Sequence, residues 1–259
     1  MTDAPLQGVG VLVTRPRVQA SGLIEAIQSN GGNAICFPVI EIVPRDETAV
    51  ANDAAELPAA DIVIYVSRNA VAYGLQYAAG ATTGATGPAT AAAIQAAGRT
   101  VDFKPDDGFD SESLLEEPVL KDVAGKQIQI IHGGDGRELL AETLRERGAR
   151  VDYLPVYERR IPDSSPELLA EVESAWRNGK INAVTIMSVE TLENLCALLP
   201  GWCVQQLSSM PLVTPAARVI KEVLDRYPAA KTILASGPQA ADMVQAIISI
   251  HSTQPGLAP

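Results

Sequence analysis

Residues able to do chemistry are sparse in this sequence, and Tyr157 is the strongest candidate among them. It lies in PVYERRIP, residues 155–162, which closely repeats PVIEIVP, residues 38–44, where Ile40 stands in its place. A phenol has an ordinary pKa near 10, so at neutral pH it can donate a proton or a hydrogen bond. Tyr157 is therefore predicted either as an acid or as a packing residue with a satisfied hydroxyl.

Two loops hold residues suited to binding an anion. Arg15 in VTRP follows the first predicted strand, and Gly133, Gly134 and Arg137 lie in the corresponding loop, IHGGDGREL. Ligands of open α/β sheets bind at the carboxyl ends of strands, where helix N-termini present N–H groups. Both loops are candidates for holding a carboxylate or phosphate; the alternatives are a solvated arginine and a plain tight turn.

Other catalytic classes lack their motifs. The glycines fit neither G-x-G-x-x-G nor a P-loop, which disfavours nucleotide binding. His132 and His251 have no clustered partners, so no metal site is predicted. The sequence also offers no nucleophile elbow, no triad and no paired-cysteine motif.

A repeat positions these candidates. Pro38 and Pro155 are 117 residues apart, and the same offset aligns the preceding thirty residues, with Val11 on Ile128 and Gly31 on Gly148. Each copy predicts a strand, a loop, a helix that stops at glycine, a second strand and a proline-bracketed extension.

A second part of the chain also repeats, with a few inserted residues. DIVIYVSRNAV matches NAVTIMSVETL, and each predicts a buried strand followed by a serine N-cap, Ser67 or Ser188. TGPATAAAI and LVTPAARVI follow, and their prolines are suited to a first helical turn.

Strands that alternate with helices indicate an α/β fold with parallel sheets. The two copies predict two such domains, and the proline-bracketed extensions predict a pair of linker strands crossed twice by the chain.

Bulk composition excludes several function classes. A net charge of −11 disfavours nucleic acid as a partner, and aromatic residues at 4% offer no base-stacking platform. No apolar run suggests a membrane span, and the N-terminus does not resemble a secretory signal. The three cysteines are predicted to be reduced in a cytoplasmic protein.

Several segments carry a family resemblance: VLVTRPRVQASGLIEAIQSNGGNAICFPVIEI, IVIYVSRNAV, TGPATAAAIQAAG, GDGRELLAETLRERGARVDYLPVYER and SGPQAADMVQAI. Taken in this order, from about Val9 to Ile248, the chain resembles the uroporphyrinogen-III synthase family.

This resemblance implies a fold and a reaction. The fold has two flavodoxin-like parallel-sheet domains, 1–37 with 163–259 and 46–154, joined by linker strands 38–45 and 155–162. The reaction cyclises the linear tetrapyrrole hydroxymethylbilane to uroporphyrinogen III, losing water and inverting ring D through a spiro intermediate. The resemblance implies neither cofactor nor metal. A monomer is expected, with transient handover of substrate from hydroxymethylbilane synthase.

The resemblance also assigns roles to residues. Tyr157 matches the family tyrosine that helps the substrate hydroxyl to leave. The candidates for holding the substrate's carboxylates are Arg15, Ser67, Thr90, Gly133, Gly134, Arg137, Ser188 and Thr214.

One segment departs from the family pattern. Many relatives have a G-P-T-T-A-like stretch where this chain reads TPAAR, with Thr214 in place of the glycine and alanines in place of the threonines. A substrate contact there is either taken over by Thr214 or lost.

The alternative function is that of a non-catalytic two-domain hinge protein that binds a small polycarboxylate. Such a protein would need no Tyr157 hydroxyl.

Overall fold

The computed structural model describes residues 4–77, 82–106, 108, 110–134 and 138–252. The strands are β1 (Gly10–Val13), β2 (Asn33–Cys36), β3 (Glu41–Pro44), β4 (Ile62–Tyr65), β5 (Thr82–Ala85), β6 (Gln127–Gly133), β7 (Arg150–Arg160), β8 (Ala183–Thr185), β9 (Leu212–Thr214) and β10 (Thr232–Leu234). The helices are α1 (Arg17–Ser29), α2 (Glu47–Glu56), α3 (Arg68–Gly74), α4 (Pro88–Ala96), α5 (Ser111–Leu115), α6 (Glu138–Glu146), α7 (Pro166–Arg177), α8 (Val189–Leu198), α9 (Gly201–Gln206), α10 (Ala217–Arg226) and α11 (Ala240–Ser252).

The chain divides into two compact units. One comprises Met1–Glu41 with Arg160–Pro259, and the other comprises Ile42–Arg159. Within the described residues, no helix is both long enough and apolar enough to cross a membrane.

The first unit is built on a sheet of order β10-β9-β8-β1-β2. Its strands pair in parallel, and the order read from β2 is that of flavodoxin-like folds. β1 is buried along its whole length, as expected for a parallel strand covered on both faces. Helix α1 packs Ala20, Leu23 and Ile27 into the core of this unit, so the helix predicted in the first copy is confirmed.

The second unit holds a sheet of order β3-β7-β6-β4-β5. β5, β4, β6 and β7 pair in parallel, so their carboxyl ends lie along one edge. The 117-residue offset aligns β1 with β6 and β2 with β7. β1 and β2 are neighbours in the first sheet, just as β6 and β7 are neighbours in the second. The predicted α/β class with parallel sheets is confirmed.

Local signals account for several element boundaries. The Ser67 Oγ accepts from the Ala70 N–H at the start of α3, and the Ser188 Oγ accepts from the Thr191 N–H at the start of α8. Both predicted N-caps are confirmed. Pro88 opens α4, where a missing N–H costs nothing.

Two elements differ from the sequence prediction. β7 continues as one strand through Pro155, which pairs with His132 next to a register shift, where a missing N–H is tolerated. Helix α10 begins at Ala217, so Pro215 lies before it rather than in its first turn. The Thr214 Oγ1 accepts from the Ala216 N–H, and this local turn delays the helix.

Candidate functional site

Tyr157 lies in β7, at the carboxyl edge of the second sheet. The register shift in this strand places Tyr157 opposite Gly133, the last residue of β6. Its ring is tilted against that of Tyr73 in α3, with the two centroids 6.3 Å apart. Only 1% of the Tyr157 surface is exposed, so backbone pairing and packing together fix the ring.

The Tyr157 hydroxyl lies 3.0 Å from the Ser67 Oγ. Ser67 follows β4, and its Oγ also accepts from the Ala70 N–H at 3.0 Å. The residue that caps α3 therefore also holds the phenol. The sequence indicated the cap but not this pairing, because 90 residues separate the two hydroxyls along the chain.

Gly133 lets the ring approach the backbone of β6. A Cβ atom added to Gly133 would lie 2.1 Å from the Tyr157 Cε2 and 2.2 Å from its Cζ, too close for any side chain. The next N–H, that of Gly134, donates to the Tyr157 carbonyl at 3.1 Å. Gly133 thus leaves room for the Tyr157 ring, and the Gly134 N–H is hydrogen-bonded to the Tyr157 backbone in this structure.

Thr90 lies at the same edge of the second sheet. It is in the first turn of α4, directly after β5, and 5% of its surface is exposed. β4, β5, β6 and β7 are parallel, Ser67 and Thr90 follow strands, Gly133 ends one, and Tyr157 pairs opposite Gly133, so all four lie on one side of the sheet. This is the side on which α/β proteins bind ligands.

The remaining described candidates lie at the carboxyl edge of the first sheet. Arg15 follows β1, Ser188 precedes α8, and Thr214 ends β9. The Arg15 Nη2 donates to the Pro238 carbonyl at 2.6 Å, which ties the loop after β1 to the loop before α11. The Ser188 Oγ lies 3.0 Å from the Thr191 Oγ1, and Thr214 is buried. The candidates thus form two groups, one in each unit.

Two further residues are singled out by the sequence. Arg137 lies outside the described residues. His132 is buried in β6, with its ring 4.9 Å from that of Tyr153. Burial raises the pKa of the Tyr153 hydroxyl. Among the described residues, no group of three or more His, Cys, Asp or Glu side chains could hold a metal ion.

The second unit also has a cavity of about 420 Å³ beside α4. Ala91, Phe103 and Lys104 are among its lining residues, and none of the predicted site residues lines it.

These features define a class: an α/β protein with two parallel sheets, each of which carries polar side chains at its carboxyl edge, and with one tyrosine hydroxyl held by a helix-capping serine. Residues 21–245 match the family model described as uroporphyrinogen-III synthase HemD. The chain therefore belongs to the uroporphyrinogen-III synthase family.

Individual relatives agree with this assignment. The chain is 32% identical over 203 residues to uroporphyrinogen-III synthase of Salmonella typhimurium, covering 75% of this chain and 81% of that protein. It is 30% identical to uroporphyrinogen-III synthase of Escherichia coli, with the same coverage. A crystal structure of mutant uroporphyrinogen III synthase from Thermus thermophilus aligns with a TM-score of 0.63 at 19% identity, covering 95% of this chain and all of that one. This last likeness concerns the fold.

Proposed function

We propose that this protein cyclises hydroxymethylbilane to uroporphyrinogen III, inverting ring D through a spiro intermediate as water leaves. Membership of the family supports the reaction. One observation carries its assignment to residues: the Tyr157 hydroxyl, held 3.0 Å from the Ser67 Oγ at the carboxyl edge of the second sheet.

The chemistry fits a chain with few catalytic groups. Loss of the substrate hydroxyl needs a proton, and Tyr157 supplies it. The C–O bond breaks as water forms, and the electron pair of the pyrrole nitrogen stabilises the resulting cation. The substituted carbon of ring D attacks this cation, and the spiro intermediate reopens and closes in the inverted sense. The proton lost when the last pyrrole regains aromaticity restores the acid.

Every step of this sequence is a proton transfer or the making or breaking of a carbon bond. None involves net oxidation or reduction, so the proposed reaction needs no redox cofactor, and we propose that it also proceeds without a metal. General acid catalysis contributes about 10²–10⁴ in rate. Correct orientation of a flexible linear substrate contributes more, up to about 7–11 kcal/mol.

Carboxylate binding supplies that orientation. We assign it to Arg15, Arg137, Ser67, Thr90, Ser188, Thr214 and the backbone at Gly133 and Gly134. Charge-assisted hydrogen bonds to carboxylates are stronger than neutral ones. Arg15 has support from its fixed position, because Pro238 anchors one nitrogen of a guanidinium that has five N–H donors. The Gly134 N–H would have to release the Tyr157 carbonyl before it could bind substrate.

The substrate's reactivity bears on partners and organisation. Hydroxymethylbilane closes unaided to the uninverted isomer. Transient handover from hydroxymethylbilane synthase in the cytoplasm would limit the loss of substrate to that isomer.

We further propose that the protein acts as a monomer. Its two domains are 1–37 plus 163–259 and 46–154, and its linkers are 38–45 and 155–162.

The test is isomer analysis. Purified protein receives freshly generated hydroxymethylbilane, the products are oxidised, and type I and type III porphyrins are separated by chromatography. The proposal expects mainly type III. Type I alone, formed at the uncatalysed rate by folded protein, would contradict it and would favour a binding module for a polycarboxylate.

A further inference from the structure

Tyr157 and Ser67 differ in their access to solvent. Tyr157 has 1% of its surface exposed, and it belongs to a hydrophobic cluster drawn entirely from the second unit. Ser67, in contrast, is only partly buried. An acid can protonate a leaving group only within hydrogen-bond reach of it. Of the two residues, Ser67 is the one with exposed surface that a substrate at this edge of the sheet can contact.

The proton count of the pair is also informative. Each hydroxyl has one proton and two acceptor sites. The Ser67 Oγ accepts from the Ala70 N–H, and a single proton serves the bond between the two hydroxyls. When Tyr157 donates in that bond, the Ser67 proton remains available to another acceptor, while both oxygens keep their partners.

We propose that Ser67 is the residue that protonates the leaving hydroxyl, with Tyr157 behind it as the source of the proton. This inference rests on the proposed function, and it gives Ser67 a catalytic role in place of carboxylate binding. Ser67 passes its proton to the substrate oxygen as the C–O bond breaks and water leaves. In the same motion Ser67 takes the Tyr157 proton, so the negative charge lies on the phenolate rather than on a serine alkoxide. The proton released when the last pyrrole ring regains aromaticity returns along the same path.

Substitutions at Ser67 separate proton transfer from helix capping. Asparagine caps a helix as well as serine does but has no hydroxyl, whereas threonine has both. We expect Ser67→Asn to lower kcat at least about tenfold with KM within about twofold. Ser67→Thr should recover most of the rate that asparagine loses. Ser165→Ala removes another serine cap, at α7, outside the proposed machinery, and should leave kcat unchanged.

A double variant tests whether the hydroxyls act in series. Groups that act as one unit give non-additive losses. Ser67→Asn combined with Tyr157→Phe should therefore be no slower than the slower single variant by more than about threefold. Losses that multiply would overturn the relay, as would a Ser67→Asn variant with normal kcat. A raised KM with unchanged kcat would return Ser67 to carboxylate binding.

Assaying the unmodified protein in parallel distinguishes failure of the Ser67 relay from failure of the proposed function. If the unmodified protein forms no type III isomer, both proposals fail. If it and Ser67→Asn form type III at equal rates, only the relay fails. Thermal unfolding of each variant verifies that the compared proteins are folded.

Discussion

Gly133 of β6 lies directly beneath the ring of Tyr157, so close that a Cβ atom at this position would fall 2.1 Å from the ring. The glycine is required for this approach rather than for its backbone angles, since its φ is not among the positive values of the chain. The Tyr157 ring is thus supported by one strand, and its hydroxyl is held by Ser67 in the loop after another.

Gly133→Ala should displace the Tyr157 ring. We expect a loss of kcat comparable with that of Tyr157→Phe, at least about tenfold. Overpacking should also lower the free energy of unfolding by about 1–3 kcal/mol. Steady-state kinetics and urea unfolding measure the two effects. Gly22→Ala is the matched control, because it lies within α1 with no atom near the added Cβ, and it should stabilise the protein slightly. Normal kinetics for Gly133→Ala would show that the ring position is unimportant.

Tyr65 offers a contrasting test of stability. It is fully buried in β4, and its hydroxyl has no hydrogen-bond partner among the described residues. A buried polar group without a partner costs about 1–3 kcal/mol. Tyr65→Phe should therefore raise the free energy of unfolding by about 1 kcal/mol, whereas Tyr157→Phe, which loses a hydrogen bond to Ser67, should lower it. Chemical denaturation measures both, and a destabilised Tyr65→Phe would reveal a partner for this hydroxyl.

Arg15→Ala should weaken substrate binding. A hydrogen bond to a charged group contributes about 1.5–3 kcal/mol, which corresponds to roughly 10- to 150-fold in KM. The exposed Arg17, at the start of α1, is the control for a general loss of positive charge, and Arg17→Ala should change KM less than about twofold. Equal effects of the two substitutions would remove Arg15 from the binding site.

Ionisation of the Cys203 thiol should lower the free energy of unfolding at alkaline pH. Burial, with a smaller contribution from the Glu173 carboxylate, raises the pKa of this thiol from 9.0 to about 11. Between these values the thiolate forms in the unfolded chain but not in the folded one. The stability that the group contributes is therefore complete below pH 9 and is lost as pH rises through 11. Between pH 8 and pH 10.5, the urea midpoint of unfolding should fall further for the unmodified protein than for Cys203→Ala. Equal falls in the two proteins would contradict this prediction.

The positions of strands and the starts of helices were largely accessible from the sequence because they depend on local patterns. Buried apolar runs predicted β1 and β4, and serine side chains predicted the caps of α3 and α8. The continuation of β7 through Pro155 was not accessible, since it depends on a register shift between β6 and β7. The start of α10 was missed because a threonine hydroxyl competes locally with the helix.

The candidate site was predictable as a set of residues but not as a set of contacts. Glycine at 133 suggested an anion-binding loop, whereas the structure uses it to receive an aromatic ring. Serine at 67 suggested a cap and a carboxylate ligand, whereas its Oγ also meets a phenol from a strand 90 residues later. Such pairings depend on which strands become neighbours, and no local pattern encodes that choice.

The most direct measurement compares the rate and the isomer ratio of Tyr157→Phe with those of the unmodified protein on freshly generated hydroxymethylbilane. With Tyr157 as the source of the proton, the variant should form type III at least about tenfold more slowly. The share of type I should rise, because spontaneous closure then competes. Folded Tyr157→Phe that forms type III at the unmodified rate and ratio would contradict the role of Tyr157.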